Sequence, residues 1–134
     1  MRVFVDTSAF LAVLDADERN HHDASRLWEH LIRDKVELIC TNYVLVETFA
    51  LVQRHLGRPV VSVFQDRVVP WLDTIWIDES LHEIGLTALL IANRRRLSLV
   101  DCVSFEVARK YRVDAVFAFD QHFEEQGFNQ VSLP

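Results

Sequence analysis

Cysteine is scarce in this chain. Its two cysteines, Cys40 and Cys102, lie far apart and form no metal-ligand pair motif. Both read as reduced core residues. Glycine and proline are equally thin, three of each, and no repeat, low-complexity segment or linker interrupts the chain. Residues 1–134 therefore read as a single domain. No apolar run is long enough to span a membrane. The opening Met1-Arg2-Val3-Phe4-Val5-Asp6 meets an acid too early for a signal peptide, so a cytoplasmic location is expected. Positive charge is also short, with 14 Lys and Arg against 20 Asp and Glu, a formal net charge of −6. That excludes a protein that grips nucleic acid through a broad basic surface. It leaves room for an enzyme that meets phosphate through bound cations, because a metal supplies positive charge locally.

Hydrophobic residues, in contrast, make up 50% of the chain, enough for a core that needs no disulfide or structural metal. Val3-Phe4-Val5 reads as a buried parallel strand that ends at Asp6-Thr7-Ser8, a helix start. Ala24, Leu27, Trp28 and Leu31 fall at helical spacing and predict a helix over about 21–33. A short strand over 37–40 follows. Thr41-Asn42 then caps a helix over about 43–56, closed by Gly57. Pro59 suits the first turn of a helix over about 59–69. A third strand is expected over Trp71–Ile77. Ser80-Leu81-His82-Glu83 has the form of a capping box for a helix running to about Arg95. Ser98 to Asp101 repeats that logic before a helix over about 100–111. Ala115–Phe119 is a fourth strand, and Asp120–Gln126 a short helical turn ended by Gly127. Asn129–Leu133 is a candidate fifth, edge strand. Strands alternating with helices predict an α/β fold, a mostly parallel sheet of four to five strands between helical layers.

In such a sheet ligands bind at the carboxyl ends of the strands. Asp6 follows the first strand directly, and Asp120 follows the fourth. Asp101 lies in the first turn of the helix that feeds the fourth strand, and Glu47 one to two turns into the helix after the second. Clustered carboxylates repel and raise one another's pKa values, so a cluster is stable near neutral pH only around a cation. All-oxygen ligands select magnesium or manganese rather than zinc. Such an ion activates water and stabilises a leaving oxygen, which fits phosphodiester hydrolysis.

Each aspartate also has a plain structural reading. Asp6 suits an ordinary N-cap, Asp101 the acidic member of a capping box with Ser98, and Asp120 the cap of a short turn. Glu47 is harder to dismiss. It stands within Tyr43–Val52, apolar on nearly every face, where a charge is costly unless it is metal-bound or paired, for example with Arg54 or Lys110.

Taken in order, four motifs resemble those of PIN domains. Asp6-Thr7-Ser8-Ala9 after a hydrophobic strand is similar to the family's opening motif, and Glu47 to its second acid. Leu99-Val100-Asp101-Cys102-Val103-Ser104 resembles the third, and Phe119-Asp120-Gln121-His122-Phe123 the fourth. Order, spacing and length over essentially the whole chain resemble the VapC group of bacterial and archaeal toxins. The resemblance implies a three-layer α/β/α fold and a Mg²⁺- or Mn²⁺-dependent endoribonuclease, the toxin of a type II toxin–antitoxin system. It implies that Asp6 and Asp101 are the principal metal ligands. Glu47 and Asp120 would complete the site directly or through water. Thr7 or Ser8 would hydrogen-bond a neighbouring carboxylate or a substrate phosphate. It further implies an RNA substrate, products with 5′-phosphate and 3′-hydroxyl ends, a homodimer, and inhibition by a small cognate antitoxin. The competing readings are a PIN-fold module that only binds partners, which the acidic net charge favours, and a non-toxin RNA-processing subunit.

The other polar clusters read more plainly. His21-His22, near Asp15, Asp17 and Asp23, suit a solvated helix start better than a zinc site, because adjacent histidines do not easily reach one ion. His122 either packs on its turn or approaches substrate. Arg94-Arg95-Arg96 reads first as cations complementing a helix C-terminus, and second as a phosphate or partner contact. Trp71 and Trp76 read as core or dimer residues, with base stacking as the alternative.

Overall fold

The computed structural model describes residues 1–134. Four parallel strands form one sheet: β1 (Arg2–Val5), β2 (Glu37–Thr41), β3 (Leu72–Ile75) and β4 (Ala115–Phe117), in the order β3-β2-β1-β4. Val3 pairs with Leu38 on one side and Ala115 on the other. β1 is central, and its Val3, Phe4 and Val5 are completely buried. This is why the strand reads as an unbroken apolar run rather than an alternation. Seven helices flank the sheet: α1 (Thr7–Leu14), α2 (His21–Arg33), α3 (Asn42–His55), α4 (Arg58–Val63), α5 (Glu79–Ala92), α6 (Leu99–Lys110) and α7 (His122–Glu125). Aromatic contacts knit the layers together. Phe123 meets Phe4 and Phe105 with ring centroids 5.8 and 5.0 Å apart, and Phe64 meets Phe10 and Phe49 at 5.1 and 5.0 Å. No helix is long and apolar enough to cross a membrane. Both cysteines are free and buried.

The sheet order places the site. From β1 the chain moves outward through β2 to β3, then returns across the sheet to put β4 on the other side of β1. The winding direction therefore reverses between β1 and β4. In parallel sheets the crevice for a ligand opens at such a switch point, beyond the carboxyl ends of the two strands. Asp6 and Asp120 follow those two strands.

Several boundaries differ from the sequence reading, each for a local reason. The helix expected over 59–69 is α for Arg58–Val63 and continues as a π-helical turn, Phe64–Val68. Trp71 closes a 3₁₀ turn, so β3 begins only at Leu72. Ser80 does not cap α5; Asp78 does, its Oδ1 accepting from the Leu81 N–H at 2.9 Å. Aspartate is at least as good an N-cap as serine and comes first in the chain. The same helix stops at Ala92 rather than Arg95, because Asn93 takes a left-handed conformation with φ of 48°. β4 ends at Phe117 because the Phe119 N–H donates to the Ser8 hydroxyl instead of to a strand, at 2.9 Å. The expected fifth strand shrinks to one parallel bridge, Val116 with Gln130. Trp71 and Trp76 lie on the surface rather than in the core, 55% and 74% exposed.

Candidate metal centre

Each acid reaches the switch point by a different route. Asp6 is the N-cap of α1. Its backbone N–H continues the sheet by donating to the Phe117 carbonyl at 3.0 Å, and its Oδ2 accepts from the Ser8 N–H at 3.2 Å. Asp101 is the third residue of α6 and completes a capping box. Its N–H donates to Ser98 Oγ at 3.1 Å, and its Oδ2 accepts from the Ser98 N–H at 3.0 Å. Asp120 follows β4 in a bend, and its Oδ1 accepts from the His122 N–H at 3.0 Å. One oxygen from each of these carboxylates lies within 4.8 Å of the other two. The structural and chemical readings of the aspartates are thus compatible. One oxygen of each carboxyl group is anchored by a local backbone N–H, and a second oxygen remains.

Ser8 ties two of the acids together. Its hydroxyl donates to Asp6 Oδ2 at 2.7 Å and accepts from the Phe119 N–H, beside Asp120, at 2.9 Å. Thr7 serves the fourth acid, its hydroxyl bonding the Glu47 carboxyl. Buried under α3, its Oγ1 also lies 3.2 Å from that of Thr48, whose hydroxyl donates to the Val44 carbonyl at 2.7 Å. Those contacts seat α3, which carries Glu47, against the start of α1.

Glu47 stands outside the three-acid group but within its field. Burial, followed by the charges of Asp101 and Asp120, raises its carboxyl pKa, while hydrogen bonding from Thr7 opposes the rise. It forms no ion pair with Arg54 or Lys110. The cost expected of a charge in an apolar helix is reduced because α3 buries one face only: Val44, Thr48 and Val52 are buried, while Val46 is 69% exposed.

The group is short of positive charge. Asp6 is 3% exposed. Burial and the charge of Asp120 push its pKa up to about 7, even though Ser8 stabilises the carboxylate. Asp101 is raised as well, chiefly by burial and then by Asp120, against the Ser98 hydrogen bonds and His122. At about 4.8 Å and an effective dielectric near 20, each ionised pair repels by roughly 3 kcal/mol. A hard divalent cation suits these donors: the group offers carboxylate oxygens alone, with no thiol or imidazole.

The remaining candidates sort simply. His21 Nδ1 pairs with the Ala12 carbonyl at 2.7 Å, docking α2 on α1, and neither His21 nor His22 joins an acid group. His122 packs on its turn with Nδ1 buried, and it also lines a depression beside Asp120. The arginine run is not a helix end: the last turn of α5 holds no basic residue, and Arg94 instead pairs with Glu125 at 2.9 Å.

Comparison with known proteins agrees with this architecture. Residues 3–129 match the PIN domain family. A 23S rRNA-specific endonuclease, VapC20, from two strains of Mycobacterium tuberculosis is 34% identical over 131 residues, which covers 96% of this chain and 97% of the relative. The crystal structure of VapC20 from Mycobacterium tuberculosis, described as a toxin that cleaves the sarcin–ricin loop, superposes with a TM-score of 0.86 at 31% identity. That match covers 98% of this chain and 99% of the other. The chain belongs to the PIN-domain family, a nuclease fold that here extends over nearly its whole length.

Proposed function

We propose that this protein is a divalent-metal-dependent endoribonuclease, acting as the toxin of a toxin–antitoxin pair. The observation that carries the reading is the meeting of Asp6, Asp101 and Asp120, from three separate segments, at the switch point of the sheet. In this reading the three aspartates hold Mg²⁺ or Mn²⁺. When bound, the ion supplies an activated water and stabilises charge developing on phosphoryl oxygens. The anchoring N–H groups of Ser8, Ser98 and His122 fix the carboxylates before any ligand arrives. Glu47, which feels the charges of Asp101 and Asp120, completes the site directly or through water. Ser8 acts as a brace between Asp6 and the β4 end rather than as a substrate contact.

The likeness to VapC20 supports RNA as substrate, with 23S rRNA the first to offer, and a small antitoxin as partner. Products with 5′-phosphate and 3′-hydroxyl ends are expected. The exposed apolar residues of α5, Ile84, Leu86, Leu90 and Ile91, support a second copy or the antitoxin docking there. The test is cleavage of end-labelled 23S rRNA and of a single-stranded RNA pool in Mg²⁺, Mn²⁺ or EDTA, with Asp6→Asn as the control for contaminating nuclease. Metal-dependent cutting that Asp6→Asn abolishes supports the proposal. Cutting by Asp6→Asn at the parent rate overturns the site assignment. No cutting by folded, antitoxin-free protein returns the weight to a partner-binding module.

A further inference from the structure

Two depressions meet at Asp120. One, of about 280 Å³, is lined by Arg94, Arg96, Gln121 and His122 among others. The second, of about 310 Å³, is lined by Ser8, Glu18, Arg19 and Asn20 among others. Phe119 and Asp120 line both. Asp120, one of the three clustered acids, therefore stands between the two depressions, with arginine on each side.

Three of the chain's twelve arginines are ion-paired, and what sets Arg19 and Arg96 apart among the rest is their place beside Asp120. Arg2, Arg94 and Arg109 each sit in an ion pair. Arg19 and Arg96 are exposed and in none. Each is held on a pinned turn rather than a loose tail. Around Arg96, Asn93 ends α5 in a left-handed conformation and Arg94 is tied to Glu125. The Leu97 N–H donates to the Arg94 carbonyl at 3.2 Å, and Leu97 itself is buried. Around Arg19, the Glu18 N–H donates to the Asp15 carbonyl and the His21 N–H to the Glu18 carbonyl, both at 3.0 Å. The His21 ring is fixed on the Ala12 carbonyl. A guanidinium held in no ion pair keeps its planar fork available, and that fork matches phosphate.

We infer that one RNA strand runs through both depressions across Asp120, with a backbone phosphate on Arg96 to one side of the cut and another on Arg19 to the other side. The inference rests on the endoribonuclease reading above. It accounts for how a chain of net charge −6 holds a polyanion: the positive charge needed is concentrated in two residues beside the cleavage point rather than spread over a face. Arg94 is the positioning residue, holding the Arg96 turn against α7 through Glu125. Small depressions on either side of a single wall suit one strand rather than a duplex.

The test uses Arg19→Gln, Arg96→Gln and the double variant, with Arg33→Gln as control. Arg33 ends α2 just before β2 begins, at the amino ends of the strands and so away from the carboxyl ends that carry Asp6 and Asp120. Cleavage of the RNA that the parent cuts is followed between 50 and 200 mM salt. Each single variant is expected to raise KM about tenfold, as loss of a charge-assisted hydrogen bond does, with kcat within about twofold. The slope of log kcat/KM against log salt should flatten by about 0.7 per arginine, the value for one phosphate contact on a single strand. In parallel, fluorescence anisotropy of a labelled single-stranded RNA is read on Asp6→Asn, with and without the arginine changes. Weaker binding and a flatter salt slope in the arginine variants support the track whether or not the parent cuts. If the parent cuts and Asp6→Asn does not, but the arginine variants match Arg33→Gln in KM, binding and slope, the track is overturned and the nuclease reading stands. If nothing cuts, the nuclease reading falls and the anisotropy alone decides whether RNA lies there.

Discussion

Asp6→Asn should make the metal-free protein more stable while removing its response to metal. The buried Asp6 carboxyl has its pKa raised from 3.8 to about 7, by burial first and the Asp120 charge second. The folded state therefore holds a proton that the unfolded chain releases at lower pH. With a raised folded pKa, the stability this group contributes is fully present below pH 3.8 and is lost as pH rises through about 7. At about 1.4 kcal/mol per pKa unit, the accumulated penalty is under ~1 kcal/mol at pH 4, about 2 kcal/mol at pH 5, and at most about 4 kcal/mol at pH 8. Asparagine removes that penalty and keeps the local bonds, because its amide oxygen can still accept from the Ser8 N–H and hydroxyl. Its NH₂ group then turns toward acceptors on Asp101 or Asp120. In EDTA, thermal unfolding followed by circular dichroism should give Asp6→Asn a Tm advantage of roughly 5–10 °C at pH 8, narrowing to about zero near pH 4. Added Mn²⁺ should raise the parent's Tm with concentration and leave the variant's nearly fixed. A variant less stable than the parent at pH 8 in EDTA, or an advantage that does not change with pH, would refute the reasoning that Asp6 is a strained carboxyl awaiting a cation.

Three further changes probe the frame around it. Ser8→Ala strips a donor from Asp6 and the acceptor from the Phe119 N–H, so it should lower stability by about 1–3 kcal/mol and weaken metal binding in a calorimetric titration; unchanged metal affinity would deny Ser8 its bracing role. Asp101→Asn keeps an oxygen for the Ser98 N–H, so it should abolish metal-dependent cutting while costing less than ~1 kcal/mol in urea unfolding; a large loss of stability would mean that the residue is chiefly structural. Gly85→Ala would ordinarily stabilise a helix by nearly 1 kcal/mol. Here a Cβ would lie 2.4 Å from Val103 Cγ2 and 3.3 Å from the Val103 backbone, so overpacking of about 1–3 kcal/mol should prevail. A lower Tm and weaker metal binding are expected, because α6 carries Asp101; a higher Tm would show that α5 and α6 separate easily.

What was legible in the sequence divides along physical lines. A strand buried on both faces writes an unbroken apolar run, and a helix N-terminus writes a cap, so β1, Asp6 and the Ser98–Asp101 box were all readable. Competition between equivalent signals was not. Asp78 and Ser80 are both good caps two residues apart, and only the extended backbone at Asp78 selects the first. The end of α5 turned on Asn93 adopting a left-handed conformation, which asparagine tolerates but does not require. Glu47 stands out in the sequence because its segment is apolar, yet part of that segment, Val46 above all, faces solvent, so Glu47 is half-buried rather than enclosed. Arg19 has no local signal at all. It matters only because the fold brings its turn beside Asp120, more than a hundred residues later in the chain.

The capping role of the aspartates bears on how tightly they could serve a metal. A carboxylate on a free side chain must lose rotamer freedom when it binds an ion, a cost of order 1 kcal/mol per side chain. Asp6, Asp101 and Asp120 have been ordered already, each by a backbone N–H within three residues in sequence. Folding therefore bears that entropy, along with the burial and, second to it, the repulsion that keep a proton on Asp6. The intrinsic affinity of the cluster for a cation gains from both, since binding has only to release the proton and relieve the repulsion. It follows that metal uptake should release close to one proton near pH 6 and almost none near pH 9, where Asp6 is already ionised. Titration calorimetry in buffers of different ionisation enthalpy measures that number directly. A proton count that did not fall with rising pH would place the proton on some group other than Asp6, and the anchored-carboxylate argument would lose its energetic basis.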